Sequence, residues 1–124
     1  MKKVLIVDDV KGWRDYNSNI VKELFEDAEI ETVGSAQEAY DILLQEKLFD
    51  IIITDLQMEN TYEPKFAGEW LVEQIKTFSR YNNTKVVIIS ASYNARHIAE
   101  LYGVECIPKQ TALKCLSAYK EVLI

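Results

Sequence analysis

Three stretches of the chain, VLIV at residues 4–7, DIIIT at 50–54 and KVVIIS at 85–90, carry aliphatic side chains at consecutive positions rather than at every second one. A strand of that kind has no polar face to turn toward water and must be covered on both sides. That demand restricts the fold more than any other feature, because each face of the sheet then needs its own layer of helices. Weaker strand candidates lie at residues 31–33 and 105–107, and segments of helical period separate the candidates. Strand alternating with helix predicts a five-stranded parallel sheet with crossovers of one hand. The expected class is therefore α/β, a doubly wound three-layer sandwich with strand order 2-1-3-4-5.

The helical segments show stripes suited to lying on a sheet. They comprise Trp13, Tyr16, Ile20 and Leu24; Ala67, Leu71, Ile75 and Phe78; Ile98, Ala99 and Tyr102; and Leu113, Leu116 and Tyr119. Ser35 with Glu38 three residues later reads as a capping box ahead of Ala39, Tyr40 and Leu43. With 124 residues, 48% of them hydrophobic and 27% charged, the chain has enough apolar material for one domain with its own core. A single domain over residues 1–124 is expected, with no output domain in the chain.

Charge and cysteine content narrow the function. Fourteen Lys and Arg against twenty Asp and Glu give a formal charge of −6, and no basic stripe is present, so direct nucleic-acid binding is not expected. The start, MKKVLIV, imitates the charged and apolar parts of a signal peptide, but Asp8 and Asp9 cut the apolar run short. No other run has membrane-spanning length. Cys106 and Cys115 are too few for a disulfide framework, and with His97 as the sole histidine they lack zinc-ligand spacing. A cytoplasmic, reduced setting is expected. His97 reads as a surface residue, the two cysteines as small core residues, and EDAEIE at 26–31 as a solvated helix end.

The chemistry should lie beyond the carboxyl ends of the strands, where the strand order reverses. The first strand ends in Asp8 and Asp9, the third in Asp55 and the fourth in Ser90, while Lys109 follows the fifth. Adjacent carboxylates repel and lose hydration unless a cation compensates them. A turn or helix cap is the other use for Asp after a strand. In the order 2-1-3-4-5 the first and third strands are neighbours, which brings Asp8, Asp9 and Asp55 into one pocket. Three carboxylates match the hard-oxygen preference of Mg²⁺, Lys109 adds a mobile point charge and Ser90 a hydroxyl.

These residues resemble the receiver domain of two-component response regulators, of the chemotaxis-response-regulator type, over essentially the whole chain. The family pattern is an acidic pair after strand one, a phosphorylated Asp after strand three, Thr or Ser after strand four and Lys after strand five. The matches here are Asp8 with Asp9, Asp55, Ser90 and Lys109. The resemblance implies a flavodoxin-like fold and a signalling domain that catalyses only its own phosphorylation and dephosphorylation. Asp55 would accept a phosphoryl group from a phosphohistidine on a sensor histidine kinase or histidine phosphotransfer protein, in a two-component or phosphorelay system. Asp9 would bind Mg²⁺ directly, Asp8 through water, and Asp55 and the Gln57 carbonyl would complete its ligands. Lys109 and Ser90 would neutralise the transferring group, and a downstream protein of unknown identity would read the outcome.

Three departures stand out. The family commonly reads D-x-x-M-P-x-M-x-G, whereas this chain has DLQMENTYEPKFAGEW, with Glu59 in the proline position and Gly68 about five residues late. One insertion in the loop from Gln57 to Ala67 accounts for both offsets, and a tolerated surface insertion is the preferred reading. Pro108 precedes Lys109 and Gln110 follows it, so the usual Lys-Pro bond is absent. Cys106 stands where the family often has a switch aromatic, which directs the expected output to the long loop, through Tyr62 and Phe66. Two rival functions remain. A haloacid-dehalogenase-type phosphatase requires D-x-D on the first strand, and Val10 stands where its general acid would be. A pseudo-receiver, an unphosphorylated protein-binding module, is the alternative that the departures favour.

Overall fold

The computed structural model describes residues 1–58 and 67–124. Its strands are β1 (Lys3–Val7), β2 (Glu29–Val33), β3 (Ile51–Thr54), β4 (Lys85–Ser90) and β5 (Glu105–Pro108). The helices are α1 (Lys11–Leu24), α2 (Ala36–Leu44), α3 (Ala67–Thr77), α4 (Ala95–Tyr102), α5 (Lys109–Lys114) and α6 (Leu116–Leu123), with a 3₁₀ turn at Ser79–Tyr81. All four strand pairings are parallel and the order is β2-β1-β3-β4-β5.

The continuous apolar strands serve two cores. Val4, Ile6, Ile51, Ile53, Val87, Ile89 and Ile107 pack with Val21 of α1, Ala112 of α5 and Tyr119 and Leu123 of α6. Leu5, Val7, Ile52, Val86 and Ile88 face the opposite layer, where α2 contributes Ala39 and Leu43, α3 Leu71 and Ile75, and α4 Ile98 and Ala99. The central strands β1 and β3 are buried at nearly every position. Edge strand β2 keeps Glu29 and Glu31 and edge strand β5 ends in Pro108, both of which discourage pairing with another sheet. Ser35 caps α2, its Oγ accepting the Glu38 N–H at 3.1 Å and donating to Glu38 Oε1 at 3.3 Å. Gly103 closes α4 with φ of 67°, a left-handed conformation in which a side chain would be strained.

Two expectations need correction. Strand β2 begins at Glu29, so the second half of EDAEIE pairs with β1 instead of ending a helix. The final helical segment is also broken, because Cys115 is extended at φ −142° and ψ 94°. Leu113 and Leu116 consequently point to solvent, and the buried positions are Ala112, Tyr119 and Leu123. Tertiary bonds explain the break: Ala112 O accepts the Tyr16 hydroxyl at 2.9 Å, and the Tyr119 hydroxyl donates to buried Asn17 at 2.5 Å. The Ala112 carbonyl before the break and the Tyr119 hydroxyl after it are thus both held against α1. His97 is exposed, as expected. Glu59, Tyr62 and Phe66 lie outside the described residues. Among the described residues no helix is long and apolar enough to cross a membrane.

Candidate functional site

The main chain carries Asp8 and Asp55 past the ends of β1 and β3 and keeps them in register with the sheet. The Asp8 N–H donates to Val33 O at 3.2 Å, and the Asp55 N–H to Val7 O at 3.0 Å. Both side chains are buried, at 2% and 5% exposure. Asp8 Oδ1 accepts the Val10 N–H at 3.0 Å, while the Arg14 guanidinium donates to the Asp8 carbonyl at 2.7 Å. Asp55 Oδ1 accepts the N–H of Leu56 at 2.7 Å and that of Gln57 at 3.4 Å, and Thr54 Oγ1 donates to the Asp55 carbonyl at 2.9 Å. The Val10 N-cap of α1 and the start of the β3–α3 connection thus orient the two carboxyl groups.

Lys109 joins them. Its Nζ lies 2.9 Å from Asp55 Oδ2 and 3.2 Å from Asp8 Oδ2, with the lysine side chain only 12% exposed. Asp8, Asp9 and Asp55 each present a carboxylate oxygen, all within 4.8 Å of one another. Burial raises the Asp8 pKa, and the Asp55 charge adds to it against the Val10 N–H and Lys109. Burial alone would lower the Lys109 pKa, but its hydrogen bond and charge contact with Asp55, then Asp8, raise it. The ammonium is therefore firmly charged, while the Asp8 carboxylate gains from further positive charge. Three converging carboxylate oxygens are the donor set that suits Mg²⁺.

Ser90 is 1% exposed at the end of β4, and its Oγ accepts the Ser92 N–H at 3.1 Å. Gln57 is exposed immediately beyond Asp55. Gly68 of α3 returns against the same backbone, its N–H donating to Leu56 O at 3.0 Å. A Cβ at Gly68 would lie 1.9 Å from the Asp55 carbonyl oxygen, so a side chain there would displace main chain.

The response regulator receiver domain model matches residues 4–119. The chain belongs to the receiver-domain family. Its similarity to the chemotaxis response regulator CheY4 of Vibrio cholerae is 26% identity with a TM-score of 0.73, over 95% of this chain and 98% of that one. The response regulator TrrA of Thermotoga maritima, solved in complex with Mg²⁺-BeF, is 22% identical with a TM-score of 0.75 over the whole of both chains. The phosphorylated cyanobacterial phytochrome response regulator RcpA is 23% identical with a TM-score of 0.79, over 98% of this chain and 94% of that one. No curated protein matches the chain significantly.

This receiver domain is unusual on its β5 side. Pro108 is the last residue of β5 and Lys109 the first of α5, so the lysine opens a helix. It nevertheless reaches both carboxylates. Cys106 is partly buried against the α2–α3–α4 layer, and burial pushes its thiol pKa up while Arg96 acts against the shift. On that layer the Tyr102 hydroxyl of α4 donates to Glu69 of α3 at 3.0 Å. Sequence reasoning brought Asp8, Asp9, Asp55 and Lys109 together, but it missed Arg14, Thr54 and the packing of Lys109 Nζ on the Trp13 ring at 4.8 Å. Trp13 fitted a core stripe, and no local pattern marks a residue that packs on a lysine far along the chain.

Proposed function

We propose that this receiver domain accepts a phosphoryl group on Asp55 from a phosphohistidine donor in a Mg²⁺-dependent reaction, and that the modification switches its binding to a downstream protein. The supporting observation is the bridge from Lys109 Nζ to the buried Asp55 and Asp8 in a three-carboxylate cluster that the half-buried Asp9 completes. A carboxylate is a weak nucleophile, so positioning and charge neutralisation must supply the rate. The N–H groups of Leu56 and Gln57 orient the Asp55 carboxylate, and the Lys109 ammonium lies 2.9 Å from its other oxygen. Asp9 and Asp55, with Asp8 through water and the Gln57 carbonyl, would hold Mg²⁺. When bound, the ion would offset the negative charge of the transferring phosphoryl oxygens. Lys109 then re-pairs from the Asp55 carboxylate to a phosphoryl oxygen, and the Ser90 hydroxyl donates to another. Transfer forms the Asp55 O–P bond as the P–N bond to the donor imidazole breaks, and later hydrolysis of the acyl phosphate resets the domain. A cytoplasmic setting is part of this proposal.

Intact-mass measurement after incubation with acetyl phosphate and Mg²⁺ tests the proposal. One acyl phosphate on the wild type and none on Asp55→Asn are expected. A wild type that stays unmodified, with both the small donor and a phosphorylated histidine kinase, would favour the pseudo-receiver.

A further inference from the structure

Lys109 Nζ has a neutral neighbour besides Asp8 and Asp55, the Trp13 ring in the first turn of α1. An ammonium near an indole face is attracted by the negative ring quadrupole, more strongly where water is scarce, and this lysine side chain is only 12% exposed. The ring is itself held in place. Trp13 meets Tyr16 edge-on at 5.5 Å, Tyr16 packs on Tyr119 at 6.5 Å, and the Tyr16 hydroxyl donates to Ala112 O within α5. Trp13 is therefore tied to the helix that begins with Lys109. The adjacent Arg14 donates to the Asp8 carbonyl, so one turn of α1 touches both sides of the carboxylate pocket.

Such a support has work to do here. A lysine is a point charge on a flexible stem, and Gln110 rather than proline follows this one. One of its carboxylate partners also changes in the reaction, since Asp55 loses its charged oxygen when it becomes an acyl phosphate. The indole does not change. We propose that Trp13 is a positioning residue, its ring holding the Lys109 ammonium at the Asp8–Asp55 end of the pocket before and after Asp55 is modified. The catalytic role it serves rests on the phosphoacceptor function proposed above.

The test compares wild type with Trp13→Phe, which keeps a ring, and Trp13→Leu, which keeps only bulk, with Trp13→Met in its place should the leucine protein not fold. In metal-free, unmodified protein, NMR should show the Lys109 ε-methylene protons displaced by the ring current in wild type, partly displaced in Trp13→Phe and at ordinary positions in Trp13→Leu. With acetyl phosphate and Mg²⁺, Trp13→Leu should slow phosphoryl uptake about fivefold, an effect toward the weaker end of the range for a cation–π contact. Trp13→Phe should recover most of that rate. In a Lys109→Gln background, Trp13→Leu should add no further loss. Unshifted Lys109 protons in wild type, or an equal loss with and without Lys109, would overturn the assignment. A wild type that takes up no phosphoryl group would instead refute the phosphoacceptor function, and the ring-current shift would still decide whether Trp13 positions Lys109.

Discussion

The acidic half of the pocket and its basic half are held in different ways. At the ends of β1 and β3, main-chain bonds from Asp8 to Val33 and from Asp55 to Val7 continue the sheet, and the N–H groups of Val10, Leu56 and Gln57 orient the carboxylates. At the end of β5, Pro108 offers no N–H, and Lys109 meets its partners through side chains alone: Asp8, Asp55 and the Trp13 ring. A group held by main chain is insensitive to the identity of its neighbours. One held by side chains depends on a few of them. This explains how the site keeps its lysine after losing the family's Lys-Pro bond, and where it should be fragile.

The comparison breaks most severely at Gly68, where main chain meets main chain. Gly68→Val should cost ~3 kcal/mol or more, because the Asp55 carbonyl cannot yield as a flexible side chain would. Denaturant unfolding measures it, and a loss under about 1 kcal/mol would mean that the contact relaxes easily. Lys109→Met, on the basic side, should destabilise the metal-free protein by about 3 kcal/mol, since the buried Asp8 and Asp55 would face each other without their cation. Added Mg²⁺ should shrink that loss, and an equal loss at saturating Mg²⁺ would argue against an ion in this pocket.

Smaller effects sharpen the contrast. Asp9→Asn should weaken Mg²⁺ binding about tenfold by calorimetric titration, as expected when one of a few anionic oxygen ligands becomes neutral. Unchanged affinity would remove Asp9 from the site. Cys106→Ala should be mildest, below about 1 kcal/mol with phosphoryl uptake unaltered, because the small, partly buried thiol touches none of the reacting groups. An uptake rate that fell with Cys106→Ala would give the thiol a part in the chemistry.

The same division governs what was legible in the chain. Unbroken apolar runs announced β1, β3 and β4, the serine and glutamate of the α2 cap matched their spacing, and the parallel order brought Asp8, Asp9 and Asp55 to one pocket. All of these follow from local pattern joined to a topological rule. The break at Cys115 was hidden, because Leu113, Leu116 and Tyr119 fit a helical period and only bonds to Tyr16 and Asn17 of α1 override it. The contact between Trp13 and Lys109 was hidden for the same reason, since the two lie at opposite ends of the chain. The early start of β2 was obscured by the exposed Glu29 and half-buried Glu31, charges that an edge strand tolerates.

Beryllofluoride, which mimics a carboxylate-bound phosphoryl group, offers the most direct measurement of whether Asp55 is a phosphoacceptor. In fluorine NMR with Mg²⁺ present, the wild-type domain should give a protein-bound fluoride signal, and backbone shifts should centre on Asp55, Leu56, Ser90 and Lys109. The signal should vanish without Mg²⁺ and in Asp55→Asn. A wild-type protein with no bound signal at saturating Mg²⁺, or one whose signal survives in Asp55→Asn, would contradict phosphoryl acceptance at Asp55.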